Sequence, residues 1–291
     1  MIFNFGSINI DYVYRVPHLP EPGETLTASS RETHLGGKGI NQSIAISRAG
    51  GNVIHIGAVG PDGDWALQEV RDLGVGTDTI SKVDAPTGHA VIYVDDDAEN
   101  EIVILAGANA CLTEDQIRKT MEHASSDDWV LVQNETNLVL QVVAAAKHAG
   151  CKVAYSAAPF VADVAISLLE KIDLLVVNEG EANALSDTLG VEVHRIPVPE
   201  VLITKGSKGA SFKHSHGILE QDAFKVTPVD TTGAGDTFLG SFLARLDLGN
   251  EACEALEYAA AASALQVTQV GAATAIPDQA GVLEFLKSQK K

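Results

Sequence analysis

Leu174-Leu175-Val176-Val177-Asn178-Glu179-Gly180-Glu181 is the stretch whose reading decides the fold. Four consecutive apolar residues cannot alternate between a core and water, so as a strand they must be covered on both faces. A polar helix start follows at once. A doubly covered strand feeding a helix is the repeating unit of a parallel sheet between helical layers. The same rhythm recurs along the chain. Strands are expected at 53–57, 129–133, 152–156, 174–178 and 201–205. Helices are expected at 40–49, 64–73, 113–123, 138–149, 161–169, 179–189, 236–246 and 252–267. Ligands of such sheets gather at the carboxyl ends of the strands, which brings Glu135, Asn178 and Thr204-Lys205-Gly206 to one rim.

Two regions interrupt this rhythm. Extended pieces at 11–15 and 24–35 surround the turn residues Pro20, Pro22 and Gly23. Residues 89–94 and 101–105 flank the acidic turn Asp95-Asp96-Asp97, which signals a hairpin. They read as a small β lid over the main sheet, with edge strands of that sheet as the alternative. The expected organisation is one domain over 1–291 with lid segments 11–35 and 88–106.

The chain has 291 residues, with 20 Lys and Arg against 39 Asp and Glu, for a net charge of −19. Nucleic-acid binding needs a basic footprint that this composition lacks. A phosphate-binding site must therefore rely on local backbone N–H groups and a few lysines. Cys111, Cys151 and Cys253 form no CxxC pair, so reduced and mostly buried thiols in a cytoplasmic protein are expected. The N-terminal Ile2-Phe3-Asn4-Phe5 is strand-like rather than a signal peptide. No apolar stretch approaches bilayer length, so no membrane association is expected.

The strongest local feature is Asp230-Thr231-Thr232-Gly233-Ala234-Gly235-Asp236-Thr237-Phe238. A strand-like stretch is expected to end near Val229 and a helix to begin near Asp236. Glycines ahead of a helix leave N–H groups open to a ligand, and the helix N-terminus adds partial positive charge. That suits a transferring phosphoryl group. A carboxylate at this point can take the proton of an attacking hydroxyl. A plain helix cap would use the same residue, and the segment alone leaves both open.

Leu35-Gly36-Gly37-Lys38-Gly39-Ile40-Asn41-Gln42 opens another helix. It is not a Walker loop, because no Ser or Thr follows the lysine and the glycine spacing differs. Lys38 and Asn41 offer donors to hydroxyls, although a glycine turn with a solvated lysine is the plainer alternative. In Gly6-Ser7-Ile8-Asn9-Ile10-Asp11, Asn9 and Asp11 share a face if extended and suit a polyol, or serve ordinary turn chemistry. Glu181 can sit near a nucleotide-bound metal through water, or simply favour the first turn of its helix. His214 and His216 fall in an expected hairpin and read as solvated surface.

In this order, Asn9-Ile10-Asp11, Gly36-Gly37-Lys38-Gly39-Ile40-Asn41-Gln42 and Asp230-Thr231-Thr232-Gly233-Ala234-Gly235-Asp236 resemble the motifs of the ribokinase-like (PfkB) family of carbohydrate kinases. The likeness covers nearly the whole chain. Gly6-Ser7-Ile8-Asn9, Pro22-Gly23-Glu24-Thr25, Ala106-Gly107-Ala108-Asn109 and Gln133-Asn134-Glu135 are similar to the ribose-phosphorylating branch of that family. The resemblance implies a three-layer αβα domain with a mostly parallel central sheet and a small β-sheet lid. It implies ATP-dependent phosphorylation of a primary sugar hydroxyl, with D-ribose foremost. Asn9, Asp11, Gly37, Lys38, Gly39, Asn41 and Glu135 would hold the sugar. Asp236 would be the general base, and Gly233, Ala234 and Gly235 the anion hole. Asn178, Thr204, Lys205, Gly206, Ser207, Gly209, Gly235 and Ala260 would line the ATP site. Mg²⁺ would arrive with ATP near Glu181. A homodimer through the lid is implied as well.

Departures from the family pattern are also visible. The segment between Leu189 and Val201 is short and lacks the usual helix. Ala260 stands where a histidine often meets the adenine. A potassium loop would map to Asp230, Thr232, Gln266, Gln269, Gly271 and Ala275, but Ala275 replaces the usual serine. His89 lies on the lid strand expected over the sugar and bears on substrate choice. Another sugar or nucleoside kinase of the family is the first rival reading, and a non-catalytic sugar-binding protein the second. A dinucleotide-dependent oxidoreductase is disfavoured, because Gly6-Ser7-Ile8-Asn9 stands where a GxGxxG turn would follow the first strand.

Overall fold

The computed structural model describes residues 1–97 and 99–289. Ala98, inside the expected lid segment, and Lys290 and Lys291 lie outside the described residues. The elements in chain order are β1 (Ile2–Phe5), β2 (Asn9–Arg15), β3 (Ser30–Gly36), α1 (Lys38–Arg48), β4 (Val53–Val59), α2 (Asp64–Asp72), β5 (Ile80–Lys82), β6 (Gly88–Val94), β7 (Asn100–Leu105), α3 (Glu114–Met121), β8 (Trp129–Gln133), α4 (Val139–His148), β9 (Lys152–Ser156), α5 (Ala162–Leu168), β10 (Leu174–Asn178), α6 (Glu179–Leu189), β11 (Glu200–Thr204), β12 (Ala210–His214), β13 (Gly217–Gln221), α7 (Ala234–Asp247), α8 (Ala252–Gln266) and α9 (Gln279–Gln289).

The main sheet runs β13-β12-β11-β10-β9-β8-β1-β4-β5. It is parallel from β11 through β5, and β12 is the antiparallel strand. The 174–177 run shows why. Leu175 and Val177 join the cluster containing Val142, Val143, Leu168 and Leu185 of α4, α5 and α6. Leu174 and Val176 join Phe238, Phe242 and Leu256 of α7 and α8 on the other face. Burying each such side chain stabilises the fold by about 1.5–3 kcal/mol. Strand β8 divides in the same way, with Val130 and Val132 on the first face and Trp129 and Leu131 on the second.

A separate four-stranded sheet, β3-β2-β6-β7, is built from the two interrupting regions rather than from edge strands of the main sheet. Strands β6 and β7 pair antiparallel across the acidic turn. The outer strand β7 is exposed throughout, with Val103 at 60% exposure.

Helices α1 and α7 pack closely. A Cβ on Gly240 would fall 2.6 Å from both the Ala45 Cβ and the Gln42 carbonyl oxygen, so only glycine lets the two helices meet here. This contact brings the starts of both helices together.

Some expectations fail. Residues 222–229 form no strand ahead of the 230–236 motif; instead the Val229 and Asp230 N–H groups both donate to the Val267 carbonyl. Only Cys151 is buried; Cys111 is half-buried and Cys253 is exposed on α8. Strand β5 and helix α9 carry too weak a pattern to be read from the sequence. The short 190–199 segment holds a single tight turn at Val193–Arg195 and plugs the sheet flank with buried Ile196 and Val198. Among the described residues, no helix is long and apolar enough to cross a membrane.

Candidate active site

Asp236 lies in the first turn of α7 with its side chain 9% exposed. Its carboxylate does not cap that helix, whose start has no side-chain cap. Instead it accepts from the Gln42 side-chain amide at 2.8 Å and from the Asn41 amide at 3.2 Å, both on α1. Burial pushes the Asp236 carboxyl above the usual carboxylate range, while the Lys38 charge and the two amides pull it back. The Asn41 Oδ1 is buried with no partner, an acceptor left for a ligand donor. Gly233, Gly235 and Asp236 have N–H groups with no backbone acceptor among the described residues, whereas the Ala234 N–H donates to Thr231 O at 3.2 Å. The free donors of the expected anion hole are therefore those flanking Ala234. The space where a Gly235 side chain would stand is open.

Behind Asp236 runs a buried polar chain. Gln133 Nε2 donates at 2.8 Å to Gln42 Oε1 and to Asn4 Oδ1. Asn4 Nδ2 in turn donates to Gly39 O at 2.7 Å and Ser43 Oγ at 2.8 Å. Ser43 Oγ meets His55 Nδ1 at 2.9 Å. His55 is fully buried, and burial pushes its imidazole down to about 4, so it stays neutral near pH 7. Hydrogen-bonded amides of this kind lock a neighbour's orientation, because breaking any link strands a buried polar group.

The polyol-suited residues of the sequence converge beside Asp236. Glu135 Oε2 accepts from Ser7 Oγ at 2.5 Å and from the Lys38 N–H at 2.9 Å. Ser7 Oγ also accepts from the Gly39 N–H at 3.1 Å, which ties the 36–39 loop to the end of β1. Asn9 Oδ1 accepts from Asn109 Nδ2 at 2.7 Å. Burial, aided by the Glu135 charge, raises the Asp11 carboxyl to about 6, against the opposing His34 and Lys38 charges. His89 meets the Tyr12 ring edge-on at 5.9 Å and holds the Thr87 carbonyl at 3.1 Å.

On the other side of the 233–235 turn lies a cavity of about 430 Å³. Thr204, Gly206, Ser207, Gly209, Gly235 and Ala260 line it, as expected from sequence. Phe224, Lys225, Val226, Ser263, Ala264 and Val267 line it too and were not foreseen. Phe224 and Val226, flanking Lys225, were the available signal, hidden because that segment reads as a strand. Among the described residues, Lys225 is the one charged residue of this lining.

Two residues expected at the nucleotide site do not line this cavity. Lys205 pairs with Glu220 at 2.8 Å and faces a different cavity. Asn178 does not line the large cavity; with Glu181 it forms a capping box at α6, accepting from the Glu181 N–H at 2.9 Å while Glu181 accepts from the Asn178 N–H at 2.8 Å. That is the plain helix-start role. Glu181 is raised by burial and feels the Lys38 charge, so it remains within electrostatic reach of the site.

In the expected cation loop, the two Asp230 oxygens accept from the Thr232 and Gly271 N–H groups, each at 2.9 Å. Gln269 is exposed, and Ala275 brings no side-chain oxygen.

Comparison with known proteins identifies the family. The family model described as pfkB family carbohydrate kinase matches residues 1–279. A ribokinase of Haemophilus influenzae is 37% identical, covering 97% of each chain. A deoxyribokinase of Salmonella typhi is 28% identical, again over 97% of each chain. The structure of Arabidopsis thaliana ribokinase complexed with ribose and ATP superposes with a TM-score of 0.86 at 31% identity, covering 98% of this chain and 97% of that one. The two glycine-rich helix starts, their meeting at Asp236 and the full-length match lead to one conclusion: this chain belongs to the pfkB family of carbohydrate kinases.

Proposed function

We propose that the chain phosphorylates the primary hydroxyl of D-ribose from ATP, yielding ribose 5-phosphate and ADP. The observation that carries this reading is the position of Asp236. Its buried carboxylate, oriented by two α1 amides, stands between the hydroxyl-binding groups and the cavity that ends at Gly235. The ribokinase relative and the neighbour complexed with ribose and ATP support the substrate pair.

In this reading Asn9, Asp11, Gly37, Lys38, Gly39, Asn41 and Glu135 hold the sugar. Carboxylates and amides suit vicinal hydroxyls, since each can accept or donate at fixed spacing. Asp236 takes the proton of the primary hydroxyl as that oxygen attacks the γ-phosphorus, and the bond to ADP breaks in line. Its raised pKa, caused mainly by burial, makes the carboxylate a stronger proton acceptor. The free N–H groups of Gly233, Gly235 and Asp236, at a helix start, bind the charge on the transferring group. The ATP body lies in the cavity lined by Thr204, Gly206, Ser207, Gly209 and Ala260, with Lys225 supplying a positive charge at its wall.

Mg²⁺ would neutralise phosphate charge on ATP. Among the described residues no group of three metal-ligating side chains exists, so the ion would come with the nucleotide and meet Glu181 through water. The β3-β2-β6-β7 sheet would act as the lid, and its exposed apolar β7 edge would pair with a second copy.

A coupled ADP-release assay across D-ribose, 2-deoxyribose, ketohexoses and nucleosides tests the substrate. Turnover of ribose with the highest kcat/KM supports the reading. No turnover of ribose beside turnover of another substrate overturns it.

A further inference from the structure

Gln266, the last residue of α8, is 1% exposed, and its amide nitrogen sits between two backbone carbonyls. It donates to Thr232 O at 2.8 Å and reaches Ala272 O at 3.4 Å. Thr232 precedes the anion-binding turn, and Ala272 lies in the turn that follows α8. Asp230 joins the same two turns through the Thr232 and Gly271 N–H groups. One helical turn back, Ser263 Oγ donates to Ala234 O at 3.1 Å. Gly233 has the left-handed φ of 75°, and a Cβ there would stand 3.2 Å from the Gln266 amide nitrogen. The turn is folded down onto that amide.

Carbonyl oxygens that face one another repel unless a donor or a cation stands between them. The family resemblance puts a monovalent cation at this loop. Here the Thr232 carbonyl already has its donor, both Asp230 oxygens are engaged, and Ala275 supplies no hydroxyl. With the Gln266 amide nitrogen against both carbonyls the place of a cation is already taken, and the residues present do not fit one.

We propose that the Gln266 side chain does the work of a bound monovalent cation, holding the 230–233 turn against the 267–272 turn so that the anion-binding N–H groups are set without K⁺. Gln266 is a positioning residue; the groups it sets are the Gly233, Gly235 and Asp236 N–H donors. The amide is covalently attached, so its occupancy depends on no ion concentration. The reversed amide would put Oε1, which is buried and unpartnered, against the two carbonyls. Only a cation could relieve that repulsion, so the two orientations make opposite predictions.

The rate arm of the test rests on the kinase reading; the thermal arm does not. The full chain and Gln266→Met, which keeps the shape and removes the donor, are melted in KCl, NaCl and N-methylglucamine chloride at equal ionic strength. ADP release is measured in the same salts. The expected result is a wild-type Tm within about 1 °C across the salts and a rate that K⁺ does not change. Gln266→Met should lose about tenfold or more in kcat, as small misplacements do, with little change in sugar KM. A KCl-specific rise in wild-type Tm with activation would overturn the inference. So would a Gln266→Met variant as fast as wild type in N-methylglucamine. If that variant does not fold, the wild-type arm decides. If no sugar is turned over, the kinase reading fails and the thermal arm still decides this one.

Discussion

Gln42 on α1 donates a 2.8 Å hydrogen bond to the carboxylate of Asp236 on α7, and its own carbonyl oxygen is held by Gln133 at the end of β8. Two helix starts far apart in sequence are thereby joined to the central sheet by one buried amide chain. The close packing at Gly240 makes the bond possible, and the bond aims the carboxylate.

Replacing Asp236 with Asn removes the proton acceptor and little volume. Turnover is expected to fall by at least about 10²-fold, the usual contribution of a positioned base. The KM for ATP should stay within a few-fold, because the cavity is lined by other residues. Steady-state ADP release checks this, and near-normal turnover would exclude Asp236 as the base.

Gln42→Ala removes one acceptor of the Gln133 amide, which keeps its bond to Asn4 Oδ1, and one donor to Asp236. Loss of these two buried hydrogen bonds should destabilise the protein by about 1–3 kcal/mol, read by urea unfolding. The donor favours the ionised carboxylate, so its removal raises the Asp236 pKa further. The acid limb of the kcat/KM profile should therefore move to higher pH. An unmoved limb would show that Gln42 does not tune the base.

Asp11 titrates at about 6 in the fold, above its ordinary 3.8. A raised carboxylate pKa means that the fold binds the proton more tightly than the unfolded chain does. Stability from this group is present below pH 3.8 and is lost as pH rises from there to about 6. Asp11→Asn should thus raise Tm at pH 7–8 by roughly a few degrees. The same change should weaken sugar binding more than ATP binding. In the wild type, sugar KM should climb as pH falls below about 6. Isothermal calorimetry and thermal melts against pH check both arms.

Strand β7 leaves Ile102, Val103, Ile104 and Leu105 about half exposed or more, on the outer edge of the second sheet. A lysine on such an edge blocks strand pairing. If the edge pairs two copies, Val103→Lys should convert a dimer to a monomer in light scattering, with the Tm of the separated chain lowered. A wild-type chain that scatters as a monomer at high concentration would dismiss the pairing.

The 174–177 run and the recurring strand-to-helix rhythm were legible because they are local. A strand with no polar face can only be buried on both sides, whatever its neighbours. The two glycine-rich helix starts were legible for the same reason: glycine spacing and helix polarity depend on adjacent residues alone. The hairpin across Asp95–Asp97 was equally local. The 222–229 segment misled because its apolar residues face the 430 Å³ cavity rather than a sheet. The pairing of Lys205 with Glu220 was not legible, because the partner comes from a neighbouring strand 15 positions away.

The sequence by itself thus determined a parallel sheet between helices, extended β pieces that interrupt it and two N–H-rich helix starts, and left open whether those pieces form a sheet of their own. It left Asp236 open between a cap and a base. Only the tertiary structure decided that its carboxylate turns away from its own helix toward Asn41 and Gln42. Only the tertiary structure closed the Thr232 and Ala272 carbonyls on Gln266. The reason is range. Helix starts and strand burial follow from residues a few positions apart, whereas hydrogen bonds across 194 and 34 positions exist only after the core has set the helices in place.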